Sequence, residues 1–363
     1  MGTHILATFP PSTSPSPNQP SSAPPSFAAL WVDRARAPET ECWLFSTYEL
    51  PHAHHDEAEA KPQLLSLLNA ISHLPPPTPG RPDDQFAILG TVNECLLPLL
   101  AGSELQHLVP KKVLTNSIEK ARDAYVLPSE RERERERDGM GVLGGLSVPY
   151  MKWVIAPPSP CPSTSKVNEG RREMEEEEMV LPLGYTYDKV RAERGECRLP
   201  ILRSDIPRTE KTLSQLGSVG IRYTAPSANT TSNPSAQIDT AENERKDEDG
   251  ELIAWAFLGV DGSLTSLHVE PGHRGKGLAK AASKRLFKQL ADDPVAVGFR
   301  PVKGSEGGPK DEAWAHSDVT VDNLGSTGVA KGLGGREGWL VRWVSVDLGR
   351  VKSVIGGMNK GEA

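Results

Sequence analysis

The sequence predicts a mixed α/β protein, and three adjoining stretches predict it. Residues 251–269 (ELIAWAFLGVDGSLTSLHV) read as a hairpin: an apolar strand to Leu258, a turn at Gly259-Val260-Asp261-Gly262, and a returning strand. Residues 270–277 (EPGHRGKG) are a turn and a glycine-rich loop. From Leu278 an apolar residue returns every four positions (Leu278, Ala282, Leu286, Leu290), and Lys280, Lys284 and Lys288 form a basic stripe, which is the pattern of an amphipathic helix. Strands of this kind need a helix on their buried face, and here one follows directly.

The chain has 363 residues, enough for about two domains. Hydrophobic residues make up 37% and aromatics 6%, against 33 Gly and 32 Pro, so part of the chain is expected to stay outside a packed core. No window approaches 18 apolar residues and no charged-then-apolar leader opens the sequence, which leads to the expectation of no membrane segment. Cys42, Cys95, Cys161 and Cys197 are too scattered for a zinc site or a disulfide framework. A reduced, soluble, cytoplasmic protein is expected, and the net charge of −7 argues against a general nucleic-acid binder.

Taken in order, residues 1–26 are Pro/Ser-rich and are expected to form a disordered tail. Residues 27–156 read as an N-terminal α/β domain. Two aromatic-containing apolar runs open it, 61–74 (KPQLLSLLNAISHL) has helical spacing, a strand and a helix follow between Gln85 and Ala101, and 151–156 (MKWVIA) is a short strand. His52, His54, His55 and Asp56 lie close together, but between Pro51 and an acidic, Ala-containing stretch they read as a solvated loop; no metal is expected. Residues 130–138 (ERERERERD) are either a solvated helix or a disordered loop, and 157–179 is the interdomain linker.

The second domain is expected over 180–350, with a tail at 351–363. Strands are expected at 183–190 and 220–224, helices between them, and a disordered insertion at 225–250. In the returning strand of the hairpin, Leu264 and Leu267 fall out of two-residue phase, which a β-bulge explains. A short strand at 296–299 and a Gly-rich loop to Asp311 follow the central helix. Then come a strand at 314–321, a glycine-weakened helix at 322–333 and a final strand at 339–346.

The loop 274–277 (RGKG) suits an anion. Gly275 and Gly277 allow positive φ and close backbone approach, and successive amides at a helix N-terminus attract phosphate. The Walker spacing is absent, and G-x-G-x-x-G is not completed after Gly277. The combination of strand, turn, Arg274-x-x-Gly277-x-Ala279 and amphipathic helix resembles the acetyl-CoA-binding motif of the GNAT superfamily of N-acetyltransferases. The resemblance covers about 181–347 and looks nearest to the glycine N-acyltransferase-like group and fungal GNAT-domain proteins. It is carried also by 254–257 (AWAF), 261–264 (DGSL), 323–326 (NLGS) and 333–335 (LGG). It implies a C-terminal GNAT fold, a mostly antiparallel central sheet flanked by helices, and an N-terminal half that is a degenerate GNAT-like repeat without the phosphate loop.

By that resemblance, the amides of Gly275, Lys276, Gly277, Leu278 and Ala279 would hold the pyrophosphate of acetyl-CoA or another acyl-CoA, with Arg274 shaping the loop. Leu267 and Val269 would pair with pantetheine amides, and the Val269 N–H would face the thioester carbonyl. Asn323 and Ser326 would meet the pantetheine or the departing thiol, although Asn323 equally suits the N-cap of its own helix. The family's tyrosine acid, seven residues after the Asn, is here Ala330, and its catalytic glutamate position is Ser263. His268 is the candidate base, since imidazole titrates near neutrality; the alternative is a half-buried strand histidine. Two functions follow: an acyl-CoA-dependent N-acyltransferase acting on a small amine or amino acid, or a catalytically silent CoA-binding or interaction module.

Overall fold

A computed structural model describes residues 3–8, 26–37, 39–50, 56–75, 85–101, 141–155, 180–204, 206–225, 250–292 and 315–361. The expectations for 51–55, 130–138, 157–179, 226–249 and 296–311 lie outside these residues. The chain divides into two units, one of Met1–Met151, Asp205–Pro207 and Trp339–Ala363, the other of Lys152–Ser204 and Arg208–Gly338.

In the first unit, β1 (His4–Ala7), β2 (Ala28–Val32) and β3 (Cys42–Ser46) are antiparallel neighbours. Helix α1 (Glu57–Ile71) then leads to β4 (Phe86–Asn93), which pairs in parallel with β3 only at Cys42–Leu89 and Trp43–Gly90 among the described residues. Leu64, Leu65, Leu67, Leu68 and Ile71 of α1 are buried in the core, against Leu30, Val32 and Leu89 of the sheet. The short α2 (Leu97–Ala101) and β5 (Leu143–Leu146) follow. The strand β12 (Arg336–Asp347) lies antiparallel to β4 from Val341 onward, and α7 (Leu348–Gly361) ends the described chain.

Two elements depart from the sequence expectation. His4–Ala7 is a strand where a disordered tail is expected: Leu6 packs against the core, and the Ala28 amide donates to the Thr8 hydroxyl at 2.9 Å. At the other end, 351–361 is helical where a tail is expected, because Val351 is fully buried and Val354 and Ile355 lean on the same core. Deleting residues 1–8 should therefore cost roughly 1–3 kcal/mol through lost pairing and apolar contact. An unchanged melting temperature in a thermal scan would show that β1 contributes nothing.

The second unit contains the predicted hairpin. Strands β7 (Tyr185–Asp188), β8 (Gly217–Tyr223), β9 (Glu251–Leu258) and β10 (Leu264–Val269) form an antiparallel sheet in the order β10-β9-β8-β7. Between β7 and β8 lie α3 (Arg198–Arg203) and α4 (Glu210–Ser214). Helix α5 (Leu278–Asp292) covers one face, with Leu278, Ala282, Leu286 and Leu290 each no more than 2% exposed, as their four-residue spacing predicts. The opposite face buries Trp255 and Phe257 with Leu213 and Cys197. Strand β6 (Tyr150–Ile155) enters this unit at Lys152 and pairs with β11 (Ala315–Thr320), which α6 (Leu324–Gly332) follows.

The units share an order: β1–β3 antiparallel, the fifteen-residue α1 and a strand parallel to β3 in the first; in the second, after β7, β8–β10 antiparallel, the fifteen-residue α5 and β11, bridged in parallel at Ser263–His316.

The sheet of the second unit carries a buried ionic knot. Arg222 on β8 is 5% exposed and donates to Asp188 and, at 2.7 and 2.9 Å, to both oxygens of Glu196. Burial would raise the Asp188 carboxyl, but Arg222, the Lys189 amide and Arg191 outweigh it and hold the pKa below the ordinary value. Arg222→Met would leave Asp188 and Glu196 with Arg191 as their remaining cationic neighbour and should cost about 2–4 kcal/mol in a urea titration. With a depressed folded pKa, the Asp188 contribution is full above the unfolded carboxylate value and is lost as pH falls through the folded one.

Candidate functional site

The site is built where β10 and β11 part. Among the described residues these strands share one parallel bridge, Ser263–His316, supported by the His316 amide donating to Gly262 O at 3.2 Å. Among the described residues no ladder joins them toward Val269.

The expected bulge is present. The β9–β10 register shifts between Thr265 and His268, and Ser266 takes φ +50°, a left-handed conformation uncommon outside glycine. Beyond it, Val269 pairs with Ala254, and the ladder bond toward β9 comes from the next amide, Glu270 N to Ile253 O at 2.8 Å. Backbone N–H groups alternate along a strand, so the Val269 N–H points to the opposite edge, toward the gap. Leu267 and Val269 pack into the α5-side core, whereas His268 lies against Trp255 of the other face, rings stacked at 4.8 Å and 17°.

The loop after β10 is pinned twice. Arg274 Nε donates to Val269 O at 2.9 Å, and His273 Nδ1 lies 2.8 Å from the Tyr185 hydroxyl, with Tyr223 beside the histidine ring. Between these anchors and α5, Gly275 and Gly277 both have φ +77°, and a Cβ on either would meet no atom within 4 Å. At Gly275 and Gly277 the chain therefore presents backbone to open space among the described residues, and the first amides of α5 have no intrahelical acceptor. The α1 terminus of the first unit is closed. There Asp56 Oδ1 accepts from the Ala58 amide at 2.8 Å, and Glu57 and Glu59 occupy the first turn. One helix start takes its own carboxylate; the other, with Lys276 and Lys280, suits an outside anion.

After β11, Asn323 Oδ1 accepts from the Ser326 amide at 3.0 Å and caps α6. The cap uses the side-chain oxygen of Asn323. Ala330, at the family's tyrosine position, is 2% exposed in the helix.

His268 is held more closely than the sequence indicates. Its Nε2 is buried and lies 3.7 Å from Glu270 Oε2, while Glu270 Oε1 accepts from Arg203 Nε at 2.8 Å. Burial pushes the imidazole pKa below its ordinary value; Arg274 and Arg203 act the same way, and Glu270 opposes them. Glu270 and Trp255 are residues that sequence reading misses, though Glu270 sits two positions from His268, the strand period that places both on one face.

A second titratable group escaped it entirely. Lys152 Nζ lies 2.8 Å from Asp318 Oδ1 and 3.2 Å from His316 Nδ1, and Asp261 Oδ2 lies 3.8 Å from His316 Nε2. Burial and Lys152 lower the His316 pKa against the opposing pull of Asp261 and Asp318. No sequence spacing links 152 to 316; only the pairing of β6 with β11 does.

Among the described residues no three His, Cys, Asp or Glu gather as a metal site, and no helix is long and apolar enough to cross a membrane.

The hairpin with its bulge, the glycine loop and α5 give the mixed α/β fold expected of a GNAT-type protein. More particularly, residues 1–126 match the sequence model of the acyl-CoA N-acyltransferase verG N-terminal domain, so the half without the loop carries this family match. No curated protein matches the chain. Among solved structures it is similar to a Drosophila protein, at 13% identity over 88% of this chain and 74% of that one, with a TM-score of 0.43. It is also similar to a GCN5-related N-acetyltransferase from Kribbella flavida, at 12% identity over 87% and 86%, with a TM-score of 0.38. A third is a tandem GNAT protein from the clavulanic acid biosynthesis pathway, at 11% identity over 88% and 78%, with a TM-score of 0.35.

Proposed function

We infer that the protein is an acyl-CoA-dependent N-acyltransferase that moves an acetyl or larger acyl group to a small amine or amino acid. The observation that carries this reading is the pair of left-handed glycines opening α5 onto free space beside the parted strands. The residues fit the co-substrate. Amides of 275–279 would bind the pyrophosphate, and the gap-facing edge of β10 at Leu267 and Val269 would bind pantetheine amides. Asn323 and Ser326 would flank the thiol.

In the reaction the neutral amine attacks the thioester carbonyl, and the developing oxyanion takes the Val269 N–H. The C–S bond breaks, the amide forms, and the amine proton passes to His268 or to water. With Ala330 where the family has tyrosine, no side chain is assigned to protonate the thiolate, which leaves exposed as CoA thiolate and takes its proton from solvent. Much of the rate then comes from orientation.

Isothermal titration with acetyl-CoA tests the binding half of this reading, and thiol release with a panel of amines tests the transfer. Binding without thiol release from any acyl donor or amine would favour the alternative, a silent CoA-binding module. Absence of binding would overturn the loop's assignment.

A further inference from the structure

We propose that Glu270, tied to Arg203 of α3, is a positioning residue that orients the His268 ring so that Nδ1 is the nitrogen exchanging protons at the site. The inference rests on His268 serving the transfer proposed above.

Three contacts fix the ring. Trp255 covers one face in a near-parallel stack, which sets its plane. Nε2 is buried and without a hydrogen-bond partner, and the polar group it faces is the Glu270 carboxylate at 3.7 Å. That carboxylate is itself held through its other oxygen by Arg203 at 2.8 Å. A buried imidazole nitrogen beside a carboxylate is better protonated than bare, since a lone pair there would face negative charge with no donor. The proton therefore sits on Nε2. The side chain retains 18% exposure while Nε2 has none, so the accessible part of the ring lies away from Nε2. Nδ1 keeps its lone pair and can accept a proton from the amine.

The separation of 3.7 Å exceeds a hydrogen bond, and Arg203 accounts for it. Glu270 is shared: the guanidinium draws the carboxylate toward α3 and tempers its pull on the ring. The charged groups facing His268 are Glu270 and Arg274 from its own strand end and loop, and Arg203 from α3; β9 contributes the uncharged Trp255. Glu270 favours the imidazolium and the two arginines oppose it. Removing Glu270 and removing Arg203 must then move the titration of His268 in opposite directions.

Ring-nitrogen NMR of the full-length protein labelled at histidine, with His268 assigned by loss of its signals in His268→Gln, reads this without any turnover. At neutral pH the His268 ring is expected to carry its proton on Nε2. Glu270→Gln should lower its midpoint by about half a unit or more, and Arg203→Gln should raise it similarly. Glu270→Asp, which keeps the charge on a shorter arm, should fall between Glu270→Gln and wild type and serves if the glutamine variant does not fold. A neutral ring protonated on Nδ1, midpoints unmoved, or both variants shifting the same way would overturn the proposal. Failure of thiol release with these shifts intact would instead remove the acyltransferase reading and leave the orientation standing. If transfer occurs, the acidic limb of kcat should follow the NMR midpoints across the variants, and a limb that ignores them would also count against Glu270.

Discussion

Gly277→Asp is expected to weaken acetyl-CoA binding by about 100-fold, or ~2.7 kcal/mol, measured by isothermal titration. Two effects add. At φ +77° a side chain strains the backbone whatever the free space, and a carboxylate would sit where the pyrophosphate is expected. Gly277→Ala separates them, since it keeps the strain and omits the charge, and should lose roughly tenfold or less. Gly195 is a control in the same unit, with φ +72° and open space around its Cβ position but no part in the loop. Gly195→Asp should reduce stability by about 1–2 kcal/mol and leave CoA affinity unchanged. Equal affinity losses at Gly195 and Gly277 would mean that backbone strain, not a phosphate cradle, explains the first result.

The second large effect is on turnover. If His268 accepts the amine proton, His268→Ala should reduce kcat by roughly 10²–10⁴-fold while CoA affinity holds. The wild-type rate should fall on the acidic side with a midpoint below the ordinary imidazole value, because burial and the two arginines disfavour the charged ring. The same shift links to stability. With its folded pKa depressed, His268 contributes fully above the unfolded value and loses that contribution as pH falls through the folded one. A loss of turnover under about tenfold, with the acidic limb tracking the pKa of the acceptor amine, would assign catalysis to positioning alone.

Much of this site could be read along the chain. The loop, the helix stripe and the bulge are local patterns, and each formed where spacing placed it. The phase slip between Leu264 and Leu267 became the register shift around Ser266. What could not be read depends on distant partners. Nothing near His4 announces a strand, because its pairing comes from Ala28–Val32 across a Pro/Ser-rich stretch. The helix at the chain's end is held by Val351 against a core made mostly of the first hundred residues. Lys152, His316 and Asp318 meet only because β6 lies beside β11. The setting of His268 was half legible: Glu270 lies within strand period, whereas Arg203 is 67 residues from Glu270 in sequence.

The different helix starts of the two repeated halves fix how much ligand the chain can take. Asp56 has already supplied the negative charge that the start of α1 can accommodate, and Glu57 and Glu59 repel any more. Of these two starts, that of α5 alone is open to an incoming phosphate, so a titration should saturate at one equivalent of CoA per chain despite the similar order of elements in the two units.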